Sequence, residues 1–158
     1  MSVDVAPLPA DPQALAEAVG AAMWSRDHAT QALGMRLDAI APGRAVLSMP
    51  VRRDMVNGHA ICHGGLIFTL ADSAFAYACN SYNHNTVASA CHIDFLAPAR
   101  EGEVLEAEAI ERSLTGRTGV YDVTVRVRGG RTVALFRGKS HRLGGEVIAG
   151  LQQADGRT

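Results

Sequence analysis

The sequence predicts an α+β fold in which a curved antiparallel β-sheet of about six strands wraps one long central helix. Three observations lead there. Residues 66–79 form an unbroken run that opens behind the pair Gly64-Gly65. Its only polar side chains are Thr69, Asp72, Ser73 and the tip of Tyr77. Such a run is too short to cross a bilayer and too long for an ordinary strand, so it reads as a helix buried on nearly all sides. Residues 118–128 alternate with a period of two, placing Tyr121, Val123, Val125 and Val127 on one face against Asp122, Thr124, Arg126 and Arg128. The order of elements is helix, two strands, buried helix, four strands. A meander after one apolar helix suggests a sheet curled around that helix.

Taken in order, residues 1–10 carry Pro7 and Pro9 without periodicity and read as a mobile N-terminal tail. Asp11-Pro12 has the form of an N-cap followed by a first helical residue. Leu15, Val19, Ala22, Met23 and Arg26 follow at helical spacing, as a covering helix of about four turns requires. Residues 35–41 and 44–51 form a hairpin around the turn signal Pro42-Gly43. A polar loop, 52–62, leads into the central helix.

Beyond it, 86–96 is rich in small and apolar residues and reads as a buried strand ended by Pro98. Strands over 104–111 and 118–128 come next. Gly129-Gly130 has the form of a two-residue hairpin turn before a last strand, 131–143. The expectation is a single domain over 11–143 and a C-terminal tail over 144–158. Only one face of such a sheet can cover the helix, so the other must meet solvent or another sheet, and the chain is a good candidate for dimerisation.

Composition narrows the function classes. The chain has 158 residues, 47% of them apolar and 20% charged, and a net charge of −1. That balance gives no electrostatic case for nucleic acid or an anionic membrane. No stretch has the form of a secretion signal or a membrane span, and Cys62, Cys79 and Cys91 are an odd count. Together these predict a cytoplasmic protein with reduced thiols. His59, Cys62, His63, Cys91 and His92 are metal-ligand types, yet no C-x-x-C or H-E-x-x-H spacing connects them, and no metal is expected.

The chemistry points to the central helix. Free backbone N–H groups and the positive end of the helix dipole collect at Gly64, where glycine also admits close approach. Such a site suits a thioester carbonyl that becomes an oxyanion. Asp72 is a carboxylate in an apolar run, which must be paired, hydrogen-bonded or protonated. It lies eight residues beyond Gly64, about 12 Å along one helix. A base must come within about 3 Å, or one water, of its target. Gly64 and Asp72 of one chain therefore do not reach the same carbonyl. Two antiparallel helices across a two-fold axis would bring Gly64 of one copy to Asp72 of the other.

Just before the helix, His63 is placed to polarise a carbonyl or orient a donor, and Asn57 to hold water or fix the loop. Structural readings stand beside these. The glycine pair could serve only tight packing, and Asp72 could make an interface hydrogen bond, to Asn57 or Ser73 for example. His59 reads as structural. Cys62 beside His63 resembles a thiol nucleophile only weakly, since adjacent side chains in an extended loop diverge. Asp54 and His59 superficially match a hydratase pair.

The stretches NGHAICHGGLIFTLADSAFAYACNS, VASACHIDFLAPA, TGRTGVYDV and TVALFRGKSHRLGG resemble the hotdog-fold acyl-CoA thioesterases, nearest the phenylacetate-degradation thioesterase (PaaI) type. The resemblance spans about residues 20–145. It implies a hotdog fold, dimers joined edge to edge through their sheets, and pairing of dimers into a homotetramer. It implies Asp72 as the essential carboxylate, general base or nucleophile, with the Gly64 amide as oxyanion donor and His63 and Asn57 around the thioester. Gly65 falls beside the substrate. Gly116, Arg117 and Thr118 match a hairpin loop that contacts coenzyme A, and Arg137, Lys139 and His141 fall where its phosphates could lie. The last three read equally as a solvated strand face.

The implied substrate is an aryl-acetyl-CoA, with no cofactor beyond the coenzyme A of the substrate itself. Two other readings remain at this level: a hotdog acyl-thioester dehydratase or hydratase, and a non-catalytic acyl-CoA-binding protein.

Overall fold

A computed structural model describes residues 11–151. Helix α1 (Pro12–Trp24) begins as its sequence dictates: the Asp11 carboxylate accepts the Gln13 and Ala14 amides, and Pro12 occupies a first-turn position. A short helix α2 (His28–Ala32), which periodicity does not reveal, is capped by Asp27, whose carboxylate accepts the Thr30 amide. Strands β1 (Arg36–Ala41) and β2 (Arg44–Pro50) form the expected hairpin, with Gly43 at a φ of 70° in its two-residue turn.

The central helix α3 runs Gly64–Asn80. Strand β3 (His84–Phe95) follows, then β4 (Val104–Thr115), β5 (Thr118–Val127) and β6 (Thr132–Glu146). All pairings are antiparallel, in the order β1-β2-β4-β5-β6-β3. The sheet curls around α3. Ile67, Leu70, Ala74 and Phe75 of the helix meet Leu47, Met49, Leu105, Val123 and Phe136 in one core. Three aromatic rings knit its middle: Phe136 packs edge-on to Phe68 at 5.4 Å and tilted to Phe75 at 5.9 Å. Helix α1 covers the β1 end, burying Leu15, Ala16 and Val19.

The structure corrects several expectations. β3 is an edge strand, not a buried one, and Val87, Ala88, Ser89 and Ala90 are exposed. Its small, apolar composition suits either a covered strand or an edge awaiting a partner. Phe95 and Leu96 at its end stand 54% and 56% exposed. For the same reason α3 is not enclosed all round. Phe68, Thr69, Asp72, Ser73 and Ala76, spaced by three and four residues, form a half-buried stripe.

The Gly129-Gly130 hairpin is wider than two residues. The Gly130 amide donates to the Val127 carbonyl at 2.8 Å, and Val127 still pairs with Arg131. Strand β6 continues to Glu146. The segment behind it is held by Asn83, which sits at a φ of 67°: its side chain accepts the Ile148 amide at 2.8 Å and donates to the Ile148 and Leu151 carbonyls. The expected N-terminal tail and residues 152–158 lie outside the described residues. Among those described, no helix is long and apolar enough to cross a membrane.

Candidate active site

The approach to α3 is a folded loop. A 3-10 turn, Arg53–Met55, precedes an isolated bridge between Val56 and Cys62. Asn57 organises what lies between, its side-chain oxygen accepting the His59 amide at 2.9 Å and the Ile61 amide at 3.4 Å. This is the local Asx geometry that the residue type favours. The Asn57 NH2 group has no acceptor among the described residues. His59 is exposed at the tip, and Asp54 is held by Arg52 through two contacts of 3.0 and 3.2 Å. Asp54 and His59 therefore do not form an acid–base pair.

His63 is the N-cap of α3. Its amide donates to the Met55 carbonyl, and its Nδ1 accepts the Gly65 amide at 3.0 Å. A ring nitrogen that accepts carries no proton, so a neutral His63 bears its proton on Nε2. That N–H is a donor beside the helix start. The Gly65 amide is thereby spent on the cap. The Gly64 amide has no acceptor among the described residues and is the free donor there. Phe95 lies against Gly64: a Cβ at that position would meet the ring at 3.1 Å. Any larger residue would have to displace Phe95.

Asp72 lies on the half-buried stripe of the same unbroken helix. Burial alone raises its carboxyl above the ordinary aspartate range, and no hydrogen bond or ion pair offsets this among the described residues. Ser73 donates to the Thr69 carbonyl at 2.7 Å, and Asn57 is engaged with its own loop, so neither meets Asp72 within one protomer. The charge of Asp72 reaches two thiols, Cys91 on β3 and Cys79 on α3. The Cys79 thiol stands at about 12, chiefly through burial. Burial also raises the Cys62 thiol. None of the three cysteines is activated as a nucleophile.

At the far end of α3, Asn80 and Tyr82 are committed to the fold. Asn80 clamps the turn into β3, donating to the Ala76 and Thr86 carbonyls and accepting the Thr86 amide. Tyr82 donates to Glu111, whose other oxygen accepts the Tyr121 hydroxyl at 2.7 Å. The surrounding burial and that shared carboxylate hold the Tyr82 phenol at about 12.

Gly116, at a φ of 61°, and Arg117 form the two-residue turn between β4 and β5. Arg137, Lys139 and His141 alternate on the outer face of β6, away from α3. Arg137 is bound by Asp122 at 2.6 and 2.9 Å, and Asp122 also holds Arg112. Lys139 and His141 stand exposed. Among the described residues no three metal-ligating side chains come together.

One helix wrapped by a six-stranded antiparallel sheet, with a free amide at its start and an unpaired carboxylate along it, defines a hotdog protein. Residues 59–134 match the family model described as the thioesterase superfamily. The acyl-coenzyme A thioesterase PaaI of Escherichia coli (strain K12) is 51% identical over 126 residues, 80% of this chain and 90% of that one. A solved structure of E. coli PaaI, described as from the phenylacetic acid degradation operon, superimposes with a TM-score of 0.85 at 48% identity. It covers 86% of this chain and 99% of its own. A mutant structure of the phenylacetic acid degradation protein PaaI from Thermus thermophilus gives 0.69 at 42% identity, over 72% and 97%. The chain belongs to the thioesterase superfamily and is a hydrolase acting on thioester bonds.

Proposed function

We propose that the protein hydrolyses an aryl-acetyl-CoA, phenylacetyl-CoA or a hydroxyphenylacetyl-CoA, to the free acid and coenzyme A in cytoplasmic aromatic catabolism. The observation that carries this reading is the pairing on one helix of a free Gly64 amide with an unpartnered, half-buried Asp72. The E. coli relative is an acyl-coenzyme A thioesterase, and the E. coli and T. thermophilus proteins are described as belonging to phenylacetic acid degradation, which supports the substrate class.

The active site is shared within a homodimer. The thioester oxygen of the substrate sits at the Gly64 amide of one subunit, where the helix dipole favours the growing negative charge. The Nε2–H of His63 is the second donor toward that oxygen. The partner subunit's Asp72 then takes a proton from water as it attacks, or itself attacks to give a mixed anhydride that water opens. Coenzyme A leaves as the thiol. Asn57 shapes the loop and offers its free NH2 group to the water or the substrate. The β4–β5 turn (Gly116, Arg117) with Thr118, and the exposed Lys139 and His141, serve the coenzyme A moiety. Arg137 serves it only if Asp122 gives it up. Gly65 contributes a surface without a side chain. The free edge of β3 supplies the dimer contact, and dimers pair into a homotetramer. The reaction uses no cofactor.

The test is a thiol-release assay over aryl and alkyl acyl-CoAs, run on the wild type and Asp72→Asn together. The reading requires preference for aryl-acetyl substrates and loss of turnover in the variant with binding largely kept. Equal activity in the variant, or a preference for long alkyl chains, rejects it.

A further inference from the structure

A second concavity lies remote along the chain from the start of α3, and only its Gly116–Arg117 rim belongs to the surface proposed for coenzyme A. It is a cavity of about 310 Å³ between the C-terminal end of α3 and the tip of the β4–β5 hairpin. That volume falls at the lower end of the range of small-ligand sites. Part of its wall is apolar or aromatic: Cys79 from the helix, Tyr121 from β5 and Leu114 from the hairpin. Leu114 is 49% exposed, an unusual amount of bare leucine surface for a side chain that lines a cavity.

Polar groups on the rest of the wall indicate what it could hold. Ser140 also lines the cavity and offers its hydroxyl. Charge is the stronger feature. Arg117 and Arg142 both line the mouth, tied together by the Arg142 amide donating to the Arg117 carbonyl at 2.8 Å. Neither guanidinium has an acidic partner among the described residues, so both are available to an anion at the mouth. Glu146 lies nearby and accepts the Gly150 amide. Burial and the Arg142 charge together lower the pKa of His84, also on the cavity wall, against a smaller opposing pull from Glu146.

We propose that this cavity binds a compact organic monocarboxylate, its apolar or aromatic body against Cys79, Leu114 and Tyr121 and its carboxylate on Arg142. Guanidinium forks match carboxylates in geometry as well as charge. A polar substituent on the body meets the Ser140 hydroxyl. Thioester hydrolysis releases a carboxylic acid, so the acid that the enzyme makes is itself of the class this cavity takes. The inference stands on the cavity and does not need the assignment of Asp72.

Titration calorimetry on the full chain tests it, with benzoate, benzyl alcohol and free coenzyme A as probes. Benzoate is expected to bind wild type and Asp72→Asn alike, and benzyl alcohol at least tenfold more weakly. Arg142→Gln should weaken benzoate about tenfold or more, the effect of losing one charge-assisted contact. Leu114→Ala, an exposed position that leaves the core intact, should weaken both aryl probes. The proposal is overturned if benzoate shows no binding at millimolar concentration, or if its affinity ignores Arg142→Gln. It is also overturned if Asp72→Asn abolishes benzoate binding, or if coenzyme A alone binds with an Arg142 dependence.

Discussion

The Gly65 amide donates to Nδ1 of His63 at 3.0 Å. One imidazole thus starts the helix and, through its other nitrogen, presents a proton beside the Gly64 amide. Capping and carbonyl polarisation are separable by substitution. His63→Ala loses both, and should cost about 0.5–2 kcal/mol of stability together with activity. His63→Asn keeps a side-chain acceptor at the cap, so it should restore most of the thermal stability while turnover stays low. Melting temperature and kcat for the two variants, measured side by side, check this. Recovery of turnover along with stability in His63→Asn would mean that the histidine acts only as a cap.

Asp72 carries a burial penalty without a compensating partner among the described residues. Its folded-state pKa lies above its unfolded one, so the native state holds the proton more tightly. Stability is then lost as pH rises from the unfolded pKa through the folded one, and stays lower above it. Asp72→Asn removes the ionisation. It should raise the melting temperature at neutral pH while lowering kcat by several orders, and the gain should vanish in acid. The raised pKa also moves the acidic limb of the wild-type rate profile above the usual aspartate range, since only the carboxylate is competent. Thermal melts from pH 4 to 8 and a kcat profile check both.

The choice between base and nucleophile is open to isotope labelling. In single turnovers in H₂¹⁸O with excess enzyme, label in Asp72 marks an anhydride that water opens at the aspartyl carbonyl, whereas direct attack by activated water labels only the product acid. Mass spectrometry of the peptide carrying Asp72 reads the answer.

Gly138 and Phe75 set a packing limit behind the site. A Cβ at Gly138 would meet ring carbons of Phe75 at 2.9 Å, and that ring also packs on Tyr121 and Phe136. Gly138→Ala should destabilise by about 1–3 kcal/mol, as overpacking does. Chemical denaturation gives the value directly.

The free edge of β3 carries the dimer proposal. Val87→Lys places a charge on that exposed edge strand, a device that blocks edge pairing. The variant should sediment as a smaller species and lose turnover in parallel. A variant that stays assembled and active would remove β3 from the interface.

Much of the fold was legible where local chemistry decides structure. Asp11-Pro12 fixed the start of α1, Pro42-Gly43 the first hairpin, and the alternation around Val123 the face of β5. Elements decided by what surrounds them were not. The small, apolar β3 reads as buried because composition does not say whether cover comes from the same chain or another. Helix α2 is too short for periodicity; its only signal was Asp27 three residues before Thr30. The site followed the same division. The Gly64–Asp72 spacing was readable as a distance along a helix, whereas the capping of Gly65 by His63 and the tie between Arg137 and Asp122 depend on side-chain directions that no spacing encodes. The Ser140 cavity left no linear trace at all, since its wall draws on a helix, a hairpin and two strands.

The helix α3 runs from Gly64 to Asn80 without a break, so it works as a rigid spacer between the two groups it carries. A mixed population of Asp72→Asn chains and chains disabled at the helix start would then contain hybrids in which one site has lost both groups and the other has lost neither. Two inactive preparations, unfolded and refolded together, should regain part of the wild-type rate, capped by the share of hybrids that forms.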